Sequence, residues 1–135
     1  MRFAISYVST ASRGLPQEEI VKFMEETQIR NNKHGVNGFL IYSEGNFFEV
    51  IEGEEIKIKD LFKVIKEDTR HKNILMIFEK EVDKPFFEDK DANFISENTQ
   101  HRSMDVRNFL YYIKDLDEGT QKTVKNILKA IGTNS

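Results

Sequence analysis

At 135 residues, with 39% hydrophobic and 32% charged, the chain has room for one domain with a real core and not for two, and its composition is that of a globular protein. The net charge of −3 comes from interspersed signs, which argues against a nucleic-acid footprint or an anionic membrane surface. There is no cysteine, and His34, His71 and His101 have no ligand-like spacing, so neither a disulfide nor a metal site is expected.

Met1 leads into an apolar strand without a signal-peptide pattern, and no run approaches membrane-spanning length, so the cytoplasm is the expected location. Arg2 to Ser9 alternates, with Phe3, Ile5 and Tyr7 on one face, and Ser12-Arg13-Gly14 breaks the pattern. Pro16 suits the first position of a helix, Glu18 and Glu19 suit its positive end, and Gly35 closes it, giving a helix over about residues 16 to 33. Ile20, Phe23, Met24, Thr27 and Asn31 share a single face of that helix. The last two are polar, so this stripe either reaches solvent at its end or meets something polar.

Val36 to Tyr42 and Phe47 to Ile51 read as strands joined by the turn residues Ser43-Glu44-Gly45-Asn46. Strand alternation puts Glu49 between Phe47 and Ile51 on one face, with Phe48, Val50 and Glu52 on the other. A carboxylate so flanked is costly to desolvate and should be protonated, paired or in use. Ile58, Leu61, Phe62 and Ile65 then form the stripe of a second helix over about residues 55 to 67. Asn73 to Glu81 follows as a strand with Leu75, Ile77 and Glu79 on one face, and Asn93-Phe94-Ile95 is a short final one. Right-handed crossovers and one apolar stripe per helix predict an α+β, ferredoxin-like βαββαβ sandwich with both helices on one sheet face. Beyond Asn98, Val106, Phe109, Leu110 and Ile113 suit a third helix, Asp117 to Gly119 is a break, and Val124, Ile127, Leu128 and Ile131 suit a fourth. The expected organisation is therefore a domain over 1–98 and a helical extension over 99–135 that packs on the vacant sheet face or forms a homodimer contact.

Catalytic signatures are missing: there is no phosphate-cradling glycine loop, nucleophile elbow, metalloprotease helix or Cys–His pair. An enzyme is not expected. What remains is a polar constellation of Tyr7, Thr27, Arg30, Asn31, Glu49, Arg70 and His71, which the topology directs towards the gap between the helices. Singly, Tyr7 reads as a core tyrosine, Asn31 as a helix-end residue, Arg70-His71 as a helix end complementing the dipole, and Glu49 as a half-exposed edge residue. Together they outline a gap with apolar walls and a few polar groups that suits a flat heteroaromatic ligand.

The motifs ISYVSTAS around Tyr7, IRNNKHGVNGFLIY around Asn31, GNFFEVIEG around Glu49 and DTRHKNI around Arg70 and His71 give residues 1 to 98 a specific resemblance to the BLUF domain, the FAD-binding blue-light sensor module. The 24 residues from Tyr7 to Asn31 and the 18 from there to Glu49 agree with the family's spacing. The resemblance implies FAD between the two helices, with Asn31 bonding the flavin's polar edge, helped by Thr27 and Arg30, and with Arg70 and His71 near the cofactor. Tyr7 is then the family's photochemical electron and proton donor, and the trailing helices resemble those that cap the sheet in short members.

The chain departs from the family at three positions. The switching glutamine of the family's F-x-Q-x-x-E-G pattern is Glu49 here, and with Phe87 aligned to the family's Phe, Lys90 and Ala92 stand in its Trp and Met positions. The resemblance thus implies a light sensor with a weakened or altered photocycle, signalling to an unknown protein partner or through a change in self-association. The alternative is a BLUF-fold interaction module that binds no flavin.

Overall fold

The alternating and helical patterns become β1 (Arg2–Ala11), α1 (Gln17–Lys33), β2 (Asn37–Ser43), β3 (Asn46–Glu54), α2 (Glu55–Glu67), β4 (His71–Val82) and β5 (Phe94–Asn98). The computed structural model describes residues 1–43, 45–82 and 94–98, with Glu118, Gly119, Gln121, Lys122, Lys125 and Asn126 as helical positions beyond them. α1 carries Glu18 and Glu19 in its first turn and Arg30 and Lys33 in its last, complementing its dipole. It begins one residue later than expected. Pro16 stays extended at ψ 153° and caps the helix from outside.

The sheet order is β4-β1-β3-β2-β5. The first four strands pair antiparallel, and β5 adds to β2 in parallel. The βαββαβ order with two helices on a four-stranded antiparallel sheet is thus present, with a fifth strand at its edge. Two glycines make the β2–β3 hairpin possible. Gly45 turns it at φ 87°. Gly38, at φ 137°, lies so close to β3 that a Cβ would fall 1.9 Å from the Val50 carbonyl oxygen.

One sheet face joins both helices in a single core. Phe3, Ile5 and Tyr7 of β1, Leu40 and Tyr42 of β2, and Phe47 and Ile51 of β3 pack with Ile20, Phe23 and Met24 of α1 and Ile58, Phe62 and Ile65 of α2. α2 contacts β1 and β3 while α1 contacts β2 and β5, so the seam between the helices runs over β3. On the far face Phe39, Ile41, Phe48 and Val50 are buried as well. There Arg2 donates to both oxygens of the fully buried Glu52, at 2.9 and 2.7 Å, and Asn37 Nδ2 adds a third bond at 3.0 Å.

Two expectations are corrected. Leu75 and Glu79 do not share a face: Leu75 pairs with Val8 and Glu79 with Ile5, because β4 carries an extra residue opposite the Ser6–Tyr7 step. Leu75 is consequently 60% exposed. The break expected at Asp117 to Gly119 also fails at its end, since Glu118 and Gly119 are helical. The predicted stripe residues Val106, Phe109, Leu110, Ile113, Val124, Ile127, Leu128 and Ile131 lie outside the described residues, as do Lys90 and Ala92.

Candidate functional site

Tyr7 and Glu49 face each other across the β1–β3 pair, in the middle of the sheet and beneath the seam. Cross-strand partners point to the same side, so the register alone brings the hydroxyl to the carboxyl. The Tyr7 hydroxyl donates to Glu49 Oε1. Both side chains are buried, with Glu49 at 2% exposure, which rules out the half-exposed edge reading. Burial pushes the Glu49 carboxyl from an ordinary 4.5 up to about 7, against the opposing pull of the Tyr7 bond and the Arg30 charge. The Tyr7 hydroxyl is held well above its usual value, first by burial and then by the neighbouring Glu49 charge.

The polar end of the α1 stripe turns inward. Thr27 and Asn31 are both buried. Thr27 Oγ1 donates back to the Phe23 carbonyl at 2.8 Å, so its hydroxyl has only acceptor capacity left for the seam. Asn31 Nδ2 has no partner, and neither do Arg30 Nε and Glu49 Oε2. Apart from Ser6 Oγ, these are the buried side-chain polar atoms left unpaired among the described residues. Unpaired buried polar atoms are rare and costly, and three of the four here fall within the predicted constellation.

His71 and Arg70 behave differently from each other. His71 is buried at the start of β4, its ring 6.1 Å from that of Tyr7 and 6.3 Å from that of Phe47. Its Nε2 lies 2.7 Å from the Ile65 carbonyl, which only accepts, so the proton sits on Nε2 and Nδ1 accepts from Ser9 Oγ at 2.7 Å. Arg70 leaves the interior. Its guanidinium donates to Asp68 at 2.8 Å and to Glu26 at 3.4 Å and lies 4.4 Å over the Phe23 ring, bridging the two helices from the solvent side. The Arg70 bonds pull the Asp68 carboxyl below its ordinary value, and Asp68 in turn raises Arg70.

Sequence reading missed β5 as a wall of the site. The ladder aligns Ser96 with Leu40, and Leu40 with Glu49, on the helix-facing side. Phe94, fully buried, belongs to the same core as Tyr7. No local pattern signals this, because the pairing of β5 with β2 is a long-range contact. Among the described residues no group of side chains is arranged to hold a metal, and no helix is long and apolar enough to cross a membrane.

Fold and site together define a class: an α+β domain whose helix seam gathers buried polar groups in want of partners. The family model "Sensors of blue-light using FAD" matches residues 3–93, and the chain belongs to this BLUF family. It is 36% identical over 77 residues to a photoactivated adenylate cyclase subunit beta of Euglena gracilis, covering 54% of this chain and 9% of the relative. Over 60 residues it is 32% identical to the blue light- and temperature-regulated antirepressor BluF of Escherichia coli K12, covering 44% of this chain and 15% of that protein. The chain thus spans a small part of either relative's length. Its fold superposes on the dark-state structure of BlrB, a BLUF protein, with a TM-score of 0.65 and 25% identity, covering 96% of this chain and 94% of that one. Residues 3–93 thus belong to a family of blue-light sensor modules, which are not themselves enzymes.

Proposed function

We propose that the chain binds FAD in the seam between α1 and α2 and senses blue light with a response altered at Glu49. The observation that carries this reading is the set of unpaired buried atoms, Asn31 Nδ2, Arg30 Nε and Glu49 Oε2, beside the Tyr7–Glu49 bond. Two of the three are donors, suited to the carbonyl oxygens along one edge of a flavin ring, so the residues present fit the group. Bound FAD would supply blue absorption and an excited state that accepts an electron. Tyr7 is placed to pass its hydroxyl proton to Glu49 Oε1, its hydrogen-bond partner. His71, with both ring nitrogens engaged, orients the Tyr7 neighbourhood and has no free atom for proton transfer.

Glu49 stands where the resemblance places the family's switching glutamine. An amide carries a donor end and an acceptor end, so turning it exchanges one for the other. A carboxylate offers acceptors alone, and its protonated form offers one donor. With its titration near neutrality, Glu49 holds a proton part of the time and mimics only part of the amide's role. Flavin binding is thus retained and the light-induced spectral shift is absent, weakened or altered. The chain's output passes to a protein partner or through self-association of the 99–135 extension, in a cytoplasmic setting.

The test is an absorption spectrum of the purified protein reconstituted with FAD, recorded in the dark and again under blue light, for the wild type and Glu49→Gln. A structured flavin band is expected in both, with a reversible red shift that appears or grows in E49Q. An unchanged response in E49Q removes this position as the limit. No uptake of FAD sinks the sensor reading and leaves the flavin-free interaction module.

A further inference from the structure

α1 presents two pairs of polar side chains at i, i+4 spacing, offset by one residue. Thr27 and Asn31 point into the seam. Gln28 and Asn32 reach β5 instead. Asn32 Nδ2 donates to the Phe94 carbonyl at 3.0 Å, and its Oδ1 accepts from the Phe94 N–H at 2.6 Å. This two-bond ring is what a neighbouring strand would make, so the Asn32 amide stands in for a further strand along the outer edge of β5. Gln28 Oε1 accepts from the Ser96 N–H at 2.8 Å and from Ser96 Oγ at 3.0 Å.

The spacing is commensurate. Four helical residues rise about 6.0 Å and two strand residues about 6.6 Å, so side chains at i and i+4 of a helix meet alternate residues of an antiparallel strand without strain. Asn32 meets Phe94 and Gln28 meets Ser96, so α1 runs opposite to β5, the required orientation. Because one rigid helix carries both pairs, a shift that satisfies Asn31 in the seam displaces the groups that hold Phe94 and Ser96.

We propose that Gln28 and Asn32 are positioning residues that clamp the outer edge of β5 to α1, so that the β5 backbone responds to whatever occupies the seam beside Thr27 and Asn31. The nature of that occupant rests on the flavin reading; the clamp does not.

The experiment is amide hydrogen exchange on the full chain, with and without saturating FAD, comparing the wild type with Q28L/N32L and Q28E/N32D. The carboxylates of the second variant keep the acceptor oxygens that meet the Phe94 and Ser96 N–H groups, and the leucines remove them. Without FAD, exchange at Phe94 and Ser96 is expected to rise roughly tenfold in Q28L/N32L, the effect of losing about one hydrogen bond each, with Ile5 and Ile51 unchanged. Q28E/N32D should restore the slow rates, which a general loosening of the fold would not allow. With FAD, these two amides should change in the wild type and not in Q28L/N32L. Equal exchange in the two variants overturns the clamp, and FAD uptake without a response at Phe94 and Ser96 overturns the coupling. Failure to take up FAD refutes the flavin reading and the coupling to it, while the flavin-free comparison still decides the clamp.

Discussion

Glu49 is an acid with one oxygen bonded to Tyr7 and the other unpaired in a buried site. Its carboxyl titrates near 7 when folded against 4.5 ordinarily, so the folded chain holds a proton that the unfolded chain gives up. The stability this contributes is complete below about 4.5 and is lost as pH rises through about 7. A shift of that size corresponds to roughly 3 kcal/mol. Denaturant unfolding of the flavin-free protein between about pH 5 and about pH 8 should show stability falling with pH, and Glu49→Gln should flatten the curve. A wild-type curve that rises over that window contradicts a buried, proton-holding Glu49.

The elements set where such residues meet. β2 and β3 approach closely because Gly38 has no side chain, and a Cβ there would meet the Val50 backbone at a φ that L residues avoid. Gly38→Ala is expected to cost roughly 3 kcal/mol in denaturant unfolding, by forcing the hairpin apart. α1 shows the opposite trade. Asn31 carries a buried amide nitrogen without a partner, so Asn31→Leu should leave the flavin-free protein about as stable, while FAD affinity, measured by titration, falls about tenfold or further. Simultaneous loss of stability and retention of affinity would mean that Asn31 serves the core and not the ligand. The helix and hairpin boundaries were readable from the sequence because they rest on local periodicity and on Pro16, Gly35 and Gly45. The side assignment of Leu75 was not, since an extra residue in β4 opposite the Ser6–Tyr7 step reverses the side chains beyond it until a second irregularity, opposite Val8–Thr10, turns them back.

At the scale of the whole molecule, α1 and α2 share a core with one sheet face, while Arg2, Asn37 and Glu52 pin the other. A ligand seated between the helices binds the folded chain and not the unfolded one. FAD at about one hundred times its dissociation constant should therefore add on the order of 2.7 kcal/mol and raise Tm by on the order of 10 °C in a thermal melt. A Tm independent of FAD would mean that the folded chain does not bind it.

By itself the sequence determined the order of strands and helices and singled out Tyr7, Asn31 and Glu49, because alternation, helical spacing and turn chemistry act between near neighbours. It also pointed to a buried acid, since Phe47 and Ile51 flank Glu49 on its own strand face. Only the tertiary structure decided that Tyr7 bonds Glu49 across 42 residues, that Asn32 clamps Phe94 across 62, and that Arg70 turns outward to Asp68 and Glu26. Those contacts depend on strand register and on where the helix seam falls over the sheet, which are properties of the packed chain that no local pattern contains.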